Sequence, residues 1–438
     1  MDIFLKIAQA VLALSLLILI HELGHFFFAR LFRIRVEKFY LFFNPGFSLF
    51  KYKPKKSDTE YGLGWLPLGG YCKISGMIDE SMDKEALKKE PQPWEFRSKP
   101  AWQRFFVMFG GVLFNLIFAF LIYSAILYTW GESYLKNKDV TYGIVCSDLA
   151  KEIGFRDGDK ILAYDQISLC ERGFNYLVSD LVHVRPEAIT VLRDADTVRF
   201  GFDQKFIPQI LKSRGLFDLN DPFVVQAVAD GSANQEAGIL PGDRLIALND
   251  VPTPYVAEAQ RILQQHAGDS VVAYFDRGGE LITIPLWINQ EGHIGIKLQP
   301  FHITQKQYSL FASIPAGVNK AYQTIRGYIQ DLGLIFSPKT EAYKSVGSII
   351  AIGQIFPSSW DWKVFWNITA WLSIMLAVLN VLPIPALDGG HILFVLYEMV
   401  TRRKPGDKFL EYAQMAGMIL LIAIITLAMG NDIFRLFK

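Results

Sequence analysis

Apolar residues fall along this chain in two patterns, long uninterrupted blocks and short alternating runs, and the two occupy different regions. Between Arg104 and Glu132 lie 27 residues without a charge, between Lys363 and Asp388 there are 24, and between Glu411 and Asp432 there are 20. Each block is long enough to cross the roughly 30 Å hydrocarbon core of a bilayer as a helix. A fourth block, Ala8 to Phe32, is as apolar apart from His21, Glu22, His25 and Arg30. Its apolar run exceeds the roughly 7 to 15 residues of a signal peptide and no small-residue cleavage site follows it. The pattern therefore predicts four transmembrane helices, placed in residues 1–32, 105–131, 364–390 and 412–431.

Residues 132–363 read as soluble and contain an internal repeat. The run Gly154-Phe-Arg-Asp-Gly-Asp-Lys-Ile-Leu aligns with Gly238-Ile-Leu-Pro-Gly-Asp-Arg-Leu-Ile at an offset of 84 residues. Each copy follows a short β-like run (Tyr142–Cys146 and Phe223–Val228) and precedes a helix-like stretch and a hairpin (Ile189–Phe202 and Val271–Leu286). Gly-Asp before an apolar run is a tight turn entering a strand. The pattern resembles tandem α+β PDZ domains of the bacterial type, over 132–205 and 206–300, with Gly231-Ser232-Ala233 and Gly242-Asp243 carrying the resemblance best in the second copy. Such modules take chain termini or extended peptides by strand addition, although a spacer role is an equal alternative. Residues 301–363 alternate at helical spacing, with Tyr322, Ile325, Ile329, Leu332 and Ile335 on one side, and read as amphipathic helices on the membrane surface or against the bundle.

Composition agrees with this division. Apolar residues make up 51% of the chain and aromatics 14%, rich for a soluble protein. The net charge of +1 gives no electrostatic case for a nucleic-acid partner. Basic residues instead follow topology: 15 Lys/Arg lie in 30–104, and Arg402, Arg403, Lys404 and Lys408 lie in 391–411. The positive-inside rule makes both segments cytoplasmic and puts 132–363 outside. Cys146 and Cys170 then share the exported region and could pair, while Cys72 stays reduced in the cytoplasm.

The first span holds the chemistry. It reads His21-Glu22-Leu-Gly-His25, an HExxH motif that puts two imidazoles on one helix face, where both can bind one zinc ion. Glu22, beside the first ligand, can act as general base toward water. A charged carboxylate at mid-membrane costs about 2.5–3.5 kcal/mol, so packing alone is a poor account of it. Catalytic zinc takes a third protein ligand. The extended form of the motif fails, with Phe28 and Leu31 at its further positions, so that ligand comes from elsewhere. The candidates cluster at the end of the third span, in Asn380-Val-Leu-Pro-Ile-Pro-Ala-Leu-Asp388-Gly-Gly-His391. Asp388 is favoured because two neutral imidazoles and one carboxylate leave the metal a net positive charge; His391 and Glu398 are the alternatives.

These motifs together resemble the site-2 proteases, and in particular their bacterial members with paired PDZ domains. Tyr61-Gly-Leu-Gly-Trp-Leu-Pro-Leu-Gly-Gly-Tyr is similar to the family's membrane-re-entrant β-loop, here 60–76 within the cytoplasmic segment 33–104, and Gly111-x-x-x-Asn115-x-x-x-Ala119 to its second-span signature. Gly347-Ser348 begins a segment similar to the one that precedes the third span. The resemblance implies a multi-pass α-helical protein of the bacterial inner membrane, an endopeptidase with one catalytic Zn²⁺, and an active site toward the cytoplasmic side. It implies single-pass membrane proteins as substrates, typically an anti-sigma factor and also remnant signal peptides. An unwound substrate would pair with the Gly-rich loop at Gly62, Gly64, Gly69 and Gly70, and Asn380 would hold or orient it.

Overall fold

The computed structural model describes residues 2–67, 69–77, 90–213, 215–299, 303–337, 340 and 349–436, and it divides into two compact units. Gly347 and Ser348 of the motif before the third span lie outside the described residues.

The first unit comprises Met1–Gly131, Gln307–Ser337 and Ala342–Lys438. It opens with helix α1 (Asp2–Leu31), followed by four strands: β1 (Val36–Leu41), β2 (Phe50–Tyr52), β3 (Glu60–Leu63) and β4 (Tyr71–Ile74). Their order in the sheet is β2-β3-β1-β4, with β1 parallel to β3 and antiparallel to β4. The sheet therefore begins well upstream of the 60–76 loop expected from sequence. Next comes α2 (Ala101–Trp130), started by Pro100 and stopped by Gly131 at φ 64°. Among the described residues, four helices are long and apolar enough to cross a membrane: α1, α2 and, near the C-terminus, those containing Trp362–Val381 and Lys408–Gly430.

α1 and α2 pack at glycines. A Cβ on Gly24 would strike the backbone of Gly110 and Gly111, and one on Gly110 would strike the Gly24 carbonyl. Without side chains there, the two backbones come close enough to put side chains of one helix against the main chain of the other.

The second unit comprises Glu132–Lys306 and Pro338–Glu341. The chain enters it as β5 (Glu132–Tyr134) and leaves as β18 (Thr304–Lys306), and the two strands pair. Between them stand two copies of one topology. The first holds β6 (Ile144–Cys146), α3 (Asp148–Ile153), β7 (Lys160–Tyr164), β8 (Ile167–Ser168), α4 (Leu177–Val184), β9 (Ala188–Arg193), β10 (Asp196–Gly201), α5 (Ile207–Lys212) and β11 (Phe217–Leu219). The second holds β12 (Val225–Val228), β13 (Arg244–Leu248), β14 (Val251–Pro252), α6 (Val256–Gln265), β15 (Ser270–Arg277), β16 (Glu280–Trp287) and β17 (Ile296–Leu298). The sheets run β8-β7-β9-β10 and β14-β13-β15-β16, the same order, and each copy adds a two-stranded pair, β6 with β11 and β12 with β17.

The 84-residue offset reappears in side-chain chemistry. Arg193 grips both carboxylate oxygens of Asp159 at 2.8 Å and donates to the Gly154 carbonyl at 2.9 Å. Arg277 does the same to Asp243 at 2.7 Å and to the Gly238 carbonyl at 2.8 Å. Both aspartates are fully buried. Asp165 and Asn249, also 84 apart, each take φ 51° and accept from a backbone N–H of the matching strand, Ala188 of β9 and Val272 of β15. The boundary expected at 205/206 is displaced, because β11 pairs with β6 of the first copy while Phe223 belongs to the core of the second. The chain passes between copies near Asn220. Cys146 and Cys170 are both free, and burial pushes the Cys146 thiol up to about 12, so the disulfide left open by the sequence is absent from the structure.

Back in the first unit, α7 (Leu310–Ile335) packs lengthwise on α2. Its contact stripe begins with small residues, Ser313, Gly317 and Ala321; of the side expected from periodicity, Ile325 packs against the same cluster, while Tyr322 and Ile329 are exposed. A Cβ at Gly317 would collide with Ser124 of α2, and Ala321 joins Ala119, Ile122 and Tyr123 in one apolar cluster. The remaining helices are α8 (Ile349–Ile355), α9 (Trp362–Val381), α10 (Asp388–Thr401) and α11 (Asp407–Leu436). The third span, expected to run through residue 390, ends at Val381. Pro383 and Pro385 cannot continue the ladder, and a new helix starts at Asp388 within the expected span and runs to Thr401, into the segment 391–411 expected to be a loop. The reversal is tight: a Cβ on Gly389 would overlap the Val381 and Leu382 backbone, and one on Gly390 the Pro385 backbone.

Candidate metal centre

The reversal between α9 and α10 is what delivers a carboxylate to the first helix. Asp388 is the first residue of α10, and its Oδ2 lies 3.2 Å from His21 Nε2 and 3.3 Å from His25 Nε2. The two imidazole nitrogens are themselves 3.3 Å apart. Of the described residues, His21, His25 and Asp388 form the one group of three such side chains whose donor atoms converge as metal ligands would. Zinc bonds of about 2.0–2.1 Å at tetrahedral angles separate ligand atoms by about 3.3 Å, the edge length of this triangle. Asp388 Oδ2 is buried and no hydrogen bond satisfies it, so the residues present fit a zinc ion.

α2 frames the two histidines from behind. His25 Nδ1 lies 2.8 Å from the Val107 carbonyl; donation to that oxygen puts the proton on Nδ1 and turns the Nε2 lone pair to the centre. One turn along, a Cβ on Gly111 would sit 2.6 Å from both His21 Cε1 and His25 Nε2, so any larger residue would push the imidazoles away. A further turn along, Asn115 Nδ2 stands 3.3 Å from His21 Nδ1. Asn380 of α9 approaches from the other side, its Nδ2 3.3 Å from His21 Nε2.

Glu22 is enclosed by the charges of His21, His25 and Asp388 and by the backbone of Cys72 in β4. The residue before that strand is Gly70, where a Cβ would stand 2.7 Å from Ile18, 2.8 Å from the Tyr40 carbonyl and 3.5 Å from Glu22. Gly70 thus lets the β4 backbone pass beside Glu22. The other three loop glycines serve the sheet itself. Gly62 and Gly64 lie in or next to β3, with β1 between them and β4, and Cβ atoms there would overlap the Tyr40 ring and the Phe43 carbonyl. Gly69 makes room for the Phe43 ring. The space beside their Cα atoms is taken by the Tyr40 and Phe43 rings and, at Gly64, by the Phe42 and Phe43 carbonyls.

The alternatives for the third ligand are placed elsewhere. Glu398 is held by Arg104 at 2.5 Å, and His391 lines a cavity of about 400 Å³ together with that ion pair. The sequence reading noticed Gly111-x-x-x-Asn115 only as a signature. Its meaning needed the partner helix, although a glycine and an amide at i and i+4 in a charge-free span are a legible sign of a polar face.

An HExxH centre closed by a distant aspartate, carried on helices that can cross a bilayer, defines a membrane-bound zinc metalloprotease. The model of peptidase family M50 matches residues 9–424, and the chain belongs to that family, the site-2 proteases. The chain is similar over 98% of both lengths to the regulator of sigma-E protease RseP of Escherichia coli, at 26% identity. It is equally identical over its full length to the protein of that name in Salmonella typhimurium, and 29% identical to a relative in Borreliella burgdorferi that spans 97% of each chain.

Proposed function

We propose that the chain is an inner-membrane protease that hydrolyses peptide bonds within the transmembrane segments of single-pass proteins. His21, His25 and Asp388 hold one zinc ion and Glu22 moves the protons. The observation that carries this reading is the triangle of 3.2–3.3 Å around an unsatisfied buried carboxylate oxygen, with a second carboxylate beside it.

Zinc in that position supplies Lewis acidity, making water acidic and taking up charge on the carbonyl oxygen. Glu22 accepts the proton of the attacking water and returns it to the leaving amine nitrogen. A helical substrate must unwind first, since its amides are tied up in its own hydrogen bonds. β4 ends its sheet, so one side of its backbone has no strand partner among the described residues, and Gly70 brings it beside Glu22. An unwound segment adds there as a further strand, and the buried Asn380 amide, beside His21, donates to one of its carbonyls.

The charge distribution favours an active site facing the cytoplasm and repeat modules outside. The two repeats share one strand order and one Arg–Asp clamp, which supports reading them as PDZ-like modules that bind extended peptides or chain termini and thereby sort substrates by their exported ends. The Escherichia coli relative is named for regulating sigma-E, and an anti-sigma factor in an envelope-stress pathway is the substrate proposed here. A scaffold with a purely structural metal is the rival. Zinc analysis of the purified protein, with a cleavage assay on a membrane-tethered reporter, separates them: bound zinc without cleavage of any tethered segment would leave the scaffold standing.

A further inference from the structure

Three positions on α2 face the two histidines of α1. Val107, Gly111 and Asn115 are spaced i, i+4 and i+8, on one stripe of the helix, and they meet His25, both imidazoles and His21 respectively. His25 Nδ1 has a main-chain acceptor in Val107, which holds its ring and tautomer whatever the side chain there. His21 Nδ1 has a side chain instead, and that side chain can present either of two ends. Asn115 is fully buried, and its Oδ1 has no hydrogen-bond partner when Nδ2 is turned to the imidazole.

The two ends of the amide select opposite forms of the ring. With Nδ2 facing it, Nδ1 must accept and the proton resides on Nε2, which then has no lone pair for a metal. With the ends exchanged, Oδ1 accepts from Nδ1–H, the buried oxygen is satisfied, and the Nε2 lone pair faces the centre. We infer that Asn115 is the positioning residue for His21: its amide oxygen fixes the tautomer and ring plane in which Nε2 serves as a zinc ligand. The inference rests on the zinc reading above and extends it to a residue in another helix.

The helix itself is anchored independently of this side chain. Ser373 of α9, fully buried, donates its hydroxyl to the Asn115 backbone carbonyl at 2.8 Å, a bond that any residue at 115 retains. Side-chain replacement therefore removes the contact to His21 while leaving the α2–α9 bond.

The experiment measures zinc affinity of the detergent-solubilised full chain by competition with a chromophoric chelator, for the parent, Asn115→Leu and Asn115→Asp. Leucine has similar size and no acceptor, and it is expected to weaken zinc binding about 10–100-fold. Aspartate presents only oxygens, and it is expected to bind zinc at least as tightly as the parent. Substitution of Co²⁺ adds a spectroscopic readout: the visible ligand-field bands of the Leu variant shift, and those of the Asp variant keep the parent's tetrahedral pattern. A Leu variant within twofold of the parent overturns the inference, as does an Asp variant as weak as the Leu one, which would reduce residue 115 to packing. Should Asn115→Leu fail to fold, the Asp variant decides alone, and more than threefold weakening counts against the inference. A parent that takes up no zinc is a different failure, that of the metal centre itself.

Discussion

The protein buries aspartates in two settings, and their surroundings could hardly differ more. Asp159 and Asp243 in the repeated modules are each closed off, gripped through both oxygens by an arginine that also ties down a turn glycine. Asp388 in the membrane unit faces two imidazoles and keeps an oxygen with no hydrogen bond. The first arrangement satisfies the charge from within the fold, and nothing further is called for. The second assembles donors around a point where a cation completes the set. A buried carboxylate marks a ligand site when its partners are other ligands, and a structural clamp when its partner is an arginine fork.

The largest effect that could break this contrast is on catalysis. Glu22→Gln removes the proton carrier and keeps the donor triangle, so cleavage of a tethered reporter should fall by at least about 100-fold while zinc content stays at the parent level. Residual activity near the parent's would remove Glu22 from the mechanism. Next comes the metal. Asp388→Asn should lose most of its zinc on dialysis against a mild chelator, whereas Asp243→Asn should keep it, and equal zinc in both variants would erase the distinction between the two settings.

Stability should behave in the opposite sense. Arg277→Met leaves Asp243 buried without its fork and should destabilise the second module, with zinc content unaffected. Urea unfolding of the chain with and without the substitution measures it. A smaller, pH-dependent effect follows from the same pair. The Arg277 guanidinium holds the Asp243 carboxyl below the usual carboxylate range. A group with a depressed folded-state pKa contributes its stability above the unfolded value of about 3.9, and loses it as pH falls through the folded one. Acid unfolding of the second module should therefore begin at higher pH in Asp243→Asn than in the parent, and coincident acid transitions would show the fork to be of no consequence.

Much of this was legible in order along the chain. Four apolar blocks announced the helices because the bilayer demands about 20 apolar residues in a row, whatever else the chain does. HExxH announced a metal because its ligands lie four apart on one helix, a spacing that local geometry alone makes useful. The repeat was readable because Gly-Asp turns are local too, whereas the recurrence of the clamps of Arg193 and Arg277 at the same offset emerged only with the fold. Where the reading failed, the cause was packing between segments. The apolar side expected for α7 was met only in part, Ile325 packing on α2 while Tyr322 and Ile329 stay exposed, since small residues let helices approach closely inside a bundle and large apolar residues can face lipid. The packing role of the loop glycines was equally hidden: three of them leave room for Tyr40 and Phe43.

The sequence by itself determined what kind of chemistry the chain carries, because the metal motif, the spans and the turn signals are all fixed by neighbours within a few residues. Only the tertiary structure decided that Asp388, rather than His391 or Glu398, meets the histidines. That choice depends on where the chain reverses after Pro385 and on Arg104 having claimed Glu398. It decided equally that α2 stands behind the imidazoles with a carbonyl, a bare Cα and an amide. Contacts between residues 94 or 367 positions apart leave no periodic trace in either segment, and they exist only once the helices are packed.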